Sequence, residues 1–189
     1  MKRPNIDEYF VTQALLSSTR GTCIRRRTGC VLVDHNNHVL SSGYNGPPSG
    51  SKHCVEIPCS GAFASSGQGL ERCEAVHAES NAIVQCENTQ IIRTAYCTNS
   101  PCVWCVGLLM NTSCSRVVFL DEYAHDEESK RRWLSRNNGS ISSFDWKKGR
   151  AITKYEWIKC EITDDVLAKV VDSLRVVQLP KNMETSNSG

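Results

Sequence analysis

One stretch restricts this chain more than any other, the run from Cys73 to Cys105, CEAVHAESNAIVQCENTQIIRTAYCTNSPCVWC. It holds His77-Ala78-Glu79 and, after a gap, Pro101-Cys102-Val103-Trp104-Cys105. One imidazole and two thiolates are good zinc ligands, and three protein ligands leave a fourth tetrahedral position open for water. A carboxylate two residues beyond the imidazole can then carry protons to and from that water. Asn81 to Val84 continue His77-Ala78-Glu79 as the start of a helix. Cys102 and Cys105 are spaced to share one helical face, and Pro101 suits a helix start because its missing N–H would be unpaired there anyway. Arg93 to Thr98 reads as a short strand leading into that second helix. The chain must therefore bring two helix N-termini together, where both macrodipoles favour thiolate. Taken alone, the thiol pair also reads as a closed structural zinc knuckle or a redox pair. The histidine, the carboxylate and the proline in this order favour the open, catalytic site.

The bulk numbers set the frame. A length of 189 residues suits one domain with a real core and an appendage. The net charge of +2 is too weak a field to imply nucleic-acid binding. The N-terminus lacks the apolar core of a signal peptide, and no stretch approaches the length of a membrane span. The expectation is a cytoplasmic protein with no membrane or nucleic-acid partner. Eleven cysteines in such a chain point to metal binding before disulfides. Cys30, Cys86, Cys97, Cys114 and Cys160 sit in apolar surroundings and read as small core residues.

In chain order, residues 5–19 read as a helix with Asn5 and Glu8 as a capping box and an apolar stripe of Ile6, Tyr9, Phe10, Gln13, Ala14 and Leu16. A basic loop follows, containing Arg25, Arg26 and Arg27. Gly29–Val33 and His38–Ser42 read as a hairpin around Asp34–Asn37; His35 and His38 read as turn and surface residues. Gly43-Tyr44-Asn45-Gly46 with Pro47 is either a plain turn or a rigid loop that aims the Asn45 amide and the Tyr44 ring into a pocket. Residues 51–72 lack periodicity and include a Ser/Gly-rich insertion, long enough to need a task or a clamp. Cys23, Cys54, Cys59 and Cys73 lie on loops around the motif, and four thiolates would make a closed structural zinc site. His53 is an alternative fourth ligand. Ser115–Leu120 has the apolar run of a buried parallel strand. Tyr123 follows at its C-terminal end, where open α/β sheets place ligands. Glu127–Arg136 reads as a charged helix stopped by Asn137-Asn138-Gly139. Residues 140–144 and 155–162 read as strands, 163–171 as a helix, 174–179 as one more strand, and 180–189 as a mobile tail.

Together these motifs give the chain a resemblance to the deoxycytidylate (dCMP) deaminases of phage and bacterial type, within the zinc-dependent cytidine deaminase superfamily. The order H-x-E…P-C-x-x-C is the known mark of zinc deaminases, whose Glu is a general acid/base and not a ligand. The resemblance covers roughly residues 6–124. It rests on Arg26-Arg27-Thr28-Gly29-Cys30, Gly43-Tyr44-Asn45-Gly46, His77-Ala78-Glu79 with Asn81-Ala82-Ile83, Ser100-Pro101-Cys102-x-x-Cys105, and Asp121-Glu122-Tyr123. It implies a cytidine-deaminase-like α/β fold, a three-layer α/β/α arrangement around a mixed five-stranded sheet. Residues 1–124 would form the deaminase core, 125–180 an extension packed on the same domain, and 181–189 a flexible tail.

The resemblance also implies hydrolysis of dCMP to dUMP and ammonia on the route to dTMP, in a homohexamer activated by dCTP and inhibited by dTTP. His77, Cys102 and Cys105 would hold the catalytic zinc, with Glu79 as proton carrier. The carbonyl of Ser100 would accept from the exocyclic amine, and Asn45 would bond the sugar. Arg25, Arg26 or Arg27, with Arg26 favoured, would meet the 5′-phosphate, and Tyr123 would close the pocket. In phage relatives a second zinc uses cysteines matching Cys23 and Cys54. Ala75 stands where one phage pattern has a ligating Glu, whereas Cys59 and Cys73 follow a bacterial arrangement. Competing readings are a bifunctional dCMP/dCTP deaminase, a deaminase acting on cytosine or adenosine in nucleic acid, and a zinc-stabilised interaction protein with a dead site.

Overall fold

The computed structural model describes residues 3–64, 68–123, 126–137, 141–145, 150–162 and 167–168. The strand expected over 174–179 and the tail 180–189 lie outside these residues, as do Asn138 and Gly139 and all but two positions of the helix expected over 163–171.

The chain opens with α1 (Ile6–Ser18). Its start is fixed by the capping box: Asn5 Oδ1 accepts from the N–H groups of Asp7 and Glu8, and the Asn5 N–H donates to Glu8 at 2.7 Å. The expected apolar stripe is turned on the helix. Phe10, Val11, Ala14 and Ser18 face the sheet, while Ile6 and Leu16 are exposed. Close approach rather than side-chain bulk decides this. A Cβ on Gly29 would lie 2.0 Å from the Ala14 carbonyl oxygen, so the helix sits directly on the strand where small residues meet.

Strands β1 (Gly29–Val33) and β2 (Val39–Tyr44) form the expected antiparallel hairpin. Asn37 takes the left-handed φ of 64° that closes its turn, a conformation Asn adopts more readily than most residues. Strand β3 (Thr94–Asn99) pairs antiparallel with β1 and parallel with β4 (Arg116–Asp121). Beyond β3 lie α2 (Ala78–Val84) before it and α3 (Val103–Met110) after it in sequence. The C-terminal segment supplies α4 (Asp126–Leu134), a small separate hairpin of β5 (Ile141–Asp145) and β6 (Arg150–Thr153), and β7 (Glu156–Lys159). β7 pairs parallel with β4, so the main sheet runs β2-β1-β3-β4-β7 and is mixed.

Two cores follow from the alternation of the strands. Phe10, Val11 and Ala14 of α1 pack on Val31, Val33, Tyr96 and Val118. On the opposite face Leu32, Cys97, Val117 and Phe119 meet Ala82 of α2, Val106 and Leu109 of α3, and Trp133 of α4. This is the expected three-layer α/β/α fold. Cys30, Cys86, Cys97 and Cys114 are buried, as expected of core thiols, and Cys160 is half-buried. No described helix is long and apolar enough to cross a membrane.

Candidate metal centre and cleft

The first motif helix is pinned from behind. A Cβ on Gly43 would lie 2.2 Å from the Ala78 carbonyl oxygen and 2.4 Å from the Ala82 nitrogen, so α2 rests on β2 with no intervening side chain. Ser41 Oγ donates to the Ala82 carbonyl at 2.7 Å, and the Asn81 amide donates to the Tyr44 carbonyl at 2.7 Å. Main-chain bonds between Gly46 and Val76 run in both directions just before His77. His77 and Cys102 then occupy the N-cap positions of α2 and α3.

The outcome is a compact donor set. His77 Nδ1 lies 3.4 Å from Cys102 Sγ and 3.4 Å from Cys105 Sγ. Among the described residues this trio is the one group of three or more candidate ligand atoms lying within 4.8 Å of one another. Ligands at zinc bond lengths in a tetrahedron stand about 3.5 Å apart, so the set fits zinc. The electrostatics agree: hydrogen bonds from the Cys105 thiol and from His77 lower the Cys102 thiol to about 4. The Cys102 contact, aided by the Glu79 charge, pushes the His77 imidazole up to about 8.

Glu79 is buried beside them, only 8% exposed. Burial raises its carboxyl above the usual carboxylate range, and the charge of His77 opposes that only in part. A carboxyl with a raised pKa next to a water-activating position suits proton transfer near neutral pH.

His77, Cys102 and Glu79 open into a cleft of about 360 Å³, with Cys105 buried behind them. Arg26, Asn45, Ser100 and Tyr123, all expected as substrate contacts, line it too. The Arg26 guanidinium sits over the Tyr123 ring, 5.8 Å from its centroid. Ser100 is buried, and its Oγ accepts from the Tyr123 N–H at 2.8 Å. The Tyr44 ring is exposed and is absent from the lining, so the loop aims only the Asn45 amide inward. The reason is the strand pleat: Tyr44 ends β2 and points away, and Asn45 follows it.

The expected four-thiolate site is not gathered. Cys23, Cys54, Cys59 and Cys73 do not converge within the span that marks the His77 trio. Cys59 makes a hydrogen bond with Cys54, while Cys23 and Cys59 bear only electrostatically on Cys73, whose thiol burial pushes up. Main-chain bonds from the Ala62 N–H to the Cys59 carbonyl and from the Gly61 N–H to the Arg72 carbonyl fix the intervening turn. His53 is exposed, its carbonyl closing a turn with Glu56 and Ile57.

Phe63, and the bracing role of Arg25, which the sequence offers only as a phosphate candidate, escape sequence reasoning. Arg25 donates to the carbonyls of Gly61 and Gln68 and so braces the insertion against the basic loop. That brings Phe63, 84% exposed, to the rim of the cleft. A single aromatic within a Ser/Gly/Ala run was the available signal.

A mixed sheet with an imidazole, two thiols and a buried carboxyl at two helix starts is the arrangement of a zinc-dependent deaminase. Residues 4–121 match the family model described as the cytidine and deoxycytidylate deaminase zinc-binding region. The chain belongs to the cytidine and deoxycytidylate deaminase family. It is 38% identical over 128 residues to the deoxycytidylate deaminase of Mycobacterium phage D29, covering 65% of this chain and 99% of that one. It is 34% identical over 131 residues to the deoxycytidylate deaminase of Saccharomyces cerevisiae, covering 68% of this chain and 42% of that one. The chain therefore spans less than half of the yeast relative's length. The apo dCMP deaminase of cyanophage S-TIM5 superposes with a TM-score of 0.52 at 26% identity, over 69% of this chain and 94% of that one. The same cyanophage protein has been solved in complex with dCMP and dUMP, at 25% identity and a TM-score of 0.52, covering 69% of this chain and 91% of that one.

Proposed function

We propose that this chain hydrolyses dCMP to dUMP and ammonia with zinc held by His77, Cys102 and Cys105. The observation that carries the reading is the buried Glu79 carboxyl, which shares one cleft with His77, Cys102 and Arg26 beside the three-ligand set. Zinc, when bound, lowers the pKa of water and so supplies the nucleophile at neutral pH. Glu79 takes a proton from the water that attacks C4 of the base and delivers it to N3, then takes the proton of the new C4 hydroxyl and passes it to the departing amine. Its raised pKa lets it hold that proton between steps. The Ser100 carbonyl accepts from the exocyclic amine. Arg26 meets the 5′-phosphate, since a guanidinium fork matches phosphate oxygens, and Tyr123 backs that fork. A phosphate requirement excludes free deoxycytidine, because the cationic end of the cleft is left unpaired without it.

Support comes from the relatives named deoxycytidylate deaminase and from the cyanophage protein solved with dCMP and dUMP. The same reading includes dTMP-precursor synthesis, activation by dCTP, inhibition by dTTP, a homohexamer, and residues 1–124 and 125–180 as one domain; these rest on the resemblance. A second zinc on Cys23, Cys54, Cys59 and Cys73 would need those thiols to draw together, and two zinc equivalents per chain by metal analysis is its test. The function itself is tested with dCMP, dCTP, deoxycytidine and a cytosine oligonucleotide, following ammonia release. Turnover of dCMP well above the nucleoside and the oligonucleotide is expected. Preference for the oligonucleotide would replace this reading with nucleic-acid editing, and equal use of dCTP would make the enzyme bifunctional.

A further inference from the structure

We propose that Phe63, on the insertion between β2 and α2, packs against the pyrimidine ring of the substrate and holds the base in the cleft. This rests on the reading of the substrate as a pyrimidine 5′-monophosphate. Phe63 is the most exposed large hydrophobic side chain among the described residues, and it borders the cleft. A lone exposed apolar residue on an open surface needs no explanation. One set at the edge of the substrate cleft, on a turn that is held in place, does.

The turn is held from several directions. The Ala64 N–H donates to the Gly61 carbonyl at 3.2 Å, which puts Ala62 and Phe63 at the tip. The Ala62 N–H donates to the Cys59 carbonyl, and the Arg72 carbonyl accepts from both the Gly61 N–H and Ser60 Oγ. A Cβ on Gly61 would lie 2.9 Å from main-chain atoms of Gly69, Arg72 and Cys73, so the two arms of the insertion meet backbone to backbone. Arg25 adds its bonds to the Gly61 and Gln68 carbonyls. Ala62 is buried while Phe63 beside it stands in water. The backbone is therefore fixed, and rotation of the side chain alone carries the ring over the cleft.

The other walls leave this part unfilled. Two aromatic residues border the cleft, and the Tyr123 ring already lies under the Arg26 guanidinium, at the phosphate end. At the metal end His77, Glu79 and Cys102 offer polar groups. Ala62, Ala64 and Ala75 are too small to cover a six-membered ring. Phe63 remains as the aromatic surface for a flat base. Because Arg25 braces its turn and Arg26 is the next residue, one basic loop positions both the ring that takes the base and the guanidinium that takes the phosphate.

The test is calorimetry with dUMP and with 2-deoxyribose 5-phosphate, which carries sugar and phosphate but no base. Phe63→Ala should weaken dUMP binding about tenfold, the scale of one base–aromatic stack, and leave the abasic ligand within about twofold. KM for dCMP should rise by about the same factor with kcat nearly unchanged, as for binding shared by ground and transition states. Phe63→Tyr keeps the ring and should restore the affinity. Sedimentation and circular dichroism check mass and fold; the side chain is exposed, so neither change reaches the core. Unchanged dUMP binding in Phe63→Ala, or equal losses for both ligands, overturns the proposal. A changed sedimenting mass in Phe63→Ala overturns it too, by showing that a second copy covers the ring. The substrate reading fails separately: if wild type releases no ammonia from dCMP yet shows the Phe63-dependent gap between dUMP and the abasic ligand, the contact stands and deamination falls. If wild type binds no dUMP, the contact falls as well.

Discussion

Glu79 places an ionisable carboxyl where water cannot stabilise its charge, and nothing in the packing of α2 calls for one there. Replacing it by Gln keeps the shape and leaves the three candidate ligands untouched. The variant is expected to bind zinc stoichiometrically and to lose about 10²–10⁴-fold or more in kcat, the scale of one general acid/base. Zinc analysis beside steady-state rates checks both halves, and near wild-type turnover would remove Glu79 from the chemistry. Gly43 is a second residue with an outsized effect. A methyl group at that position meets the main chain of α2 at two points. Gly43→Ala should therefore cost about 1–3 kcal/mol through overpacking and lower kcat as well, because α2 carries Glu79. A thermal melt unchanged from wild type would contradict the close packing. The residues of the metal centre were legible in sequence because their spacing acts over one helical turn. Phe63 and the bracing role of Arg25 were not, because both matter through contacts between segments that no local spacing encodes.

Elements were read well where one periodicity dominated and poorly where close approach decided. The hairpin β1–β2, the strand β3 and the helix α3 stand close to where the pattern put them. The face of α1 did not, since Ala14 and Ser18 turn inward to meet a glycine while Leu16 turns out. At the end of the sheet remote from the cleft, α1 is tied down by charge. Arg116 grips Asp7 with two bonds of 2.7 Å and holds Glu156 at 3.0 Å, and the Tyr96 hydroxyl donates to Asp7. One guanidinium so joins α1, β4 and the first residue of β7, with β3 alongside. The desolvated phenol and the Asp7 charge push the Tyr96 pKa above its ordinary value. Arg116→Leu strands two carboxylates and should destabilise by about 2–3 kcal/mol, the range for bonds to charged groups. Asn5→Ala removes only a cap and should cost about 1 kcal/mol. Urea unfolding of the two variants separates a network from a cap, and equal losses would show that the ion network contributes little.

The whole molecule depends on its least legible third. The charged helix α4 looks solvent-facing in sequence, yet Trp133 is fully buried and its indole N–H donates to the Glu156 carbonyl at 3.0 Å. Trp157 and Tyr155 pack around it, and the Arg136 guanidinium lies 3.9 Å from the Tyr155 ring centroid. One tryptophan in a run of Glu, Lys and Arg gives too weak a periodic signal to show which face it anchors. Trp133→Ala should cost about 3–5 kcal/mol as a large cavity opens, while the folded fraction keeps its kcat because the cleft lies at the other helices. A loss of kcat without a loss of stability would argue against that separation. The late arrival of β7 also bears on how the protein is made. A nascent chain that has emerged only as far as Tyr123 already holds the histidine, both motif thiols and the carboxylate, but the hydrogen-bonding edge of β4 is still bare. Its assembly must wait while some thirty further residues leave the ribosome at about 5–20 per second. For those seconds the unpaired parallel edge and the apolar face beneath it are open to a chaperone or to another half-made copy.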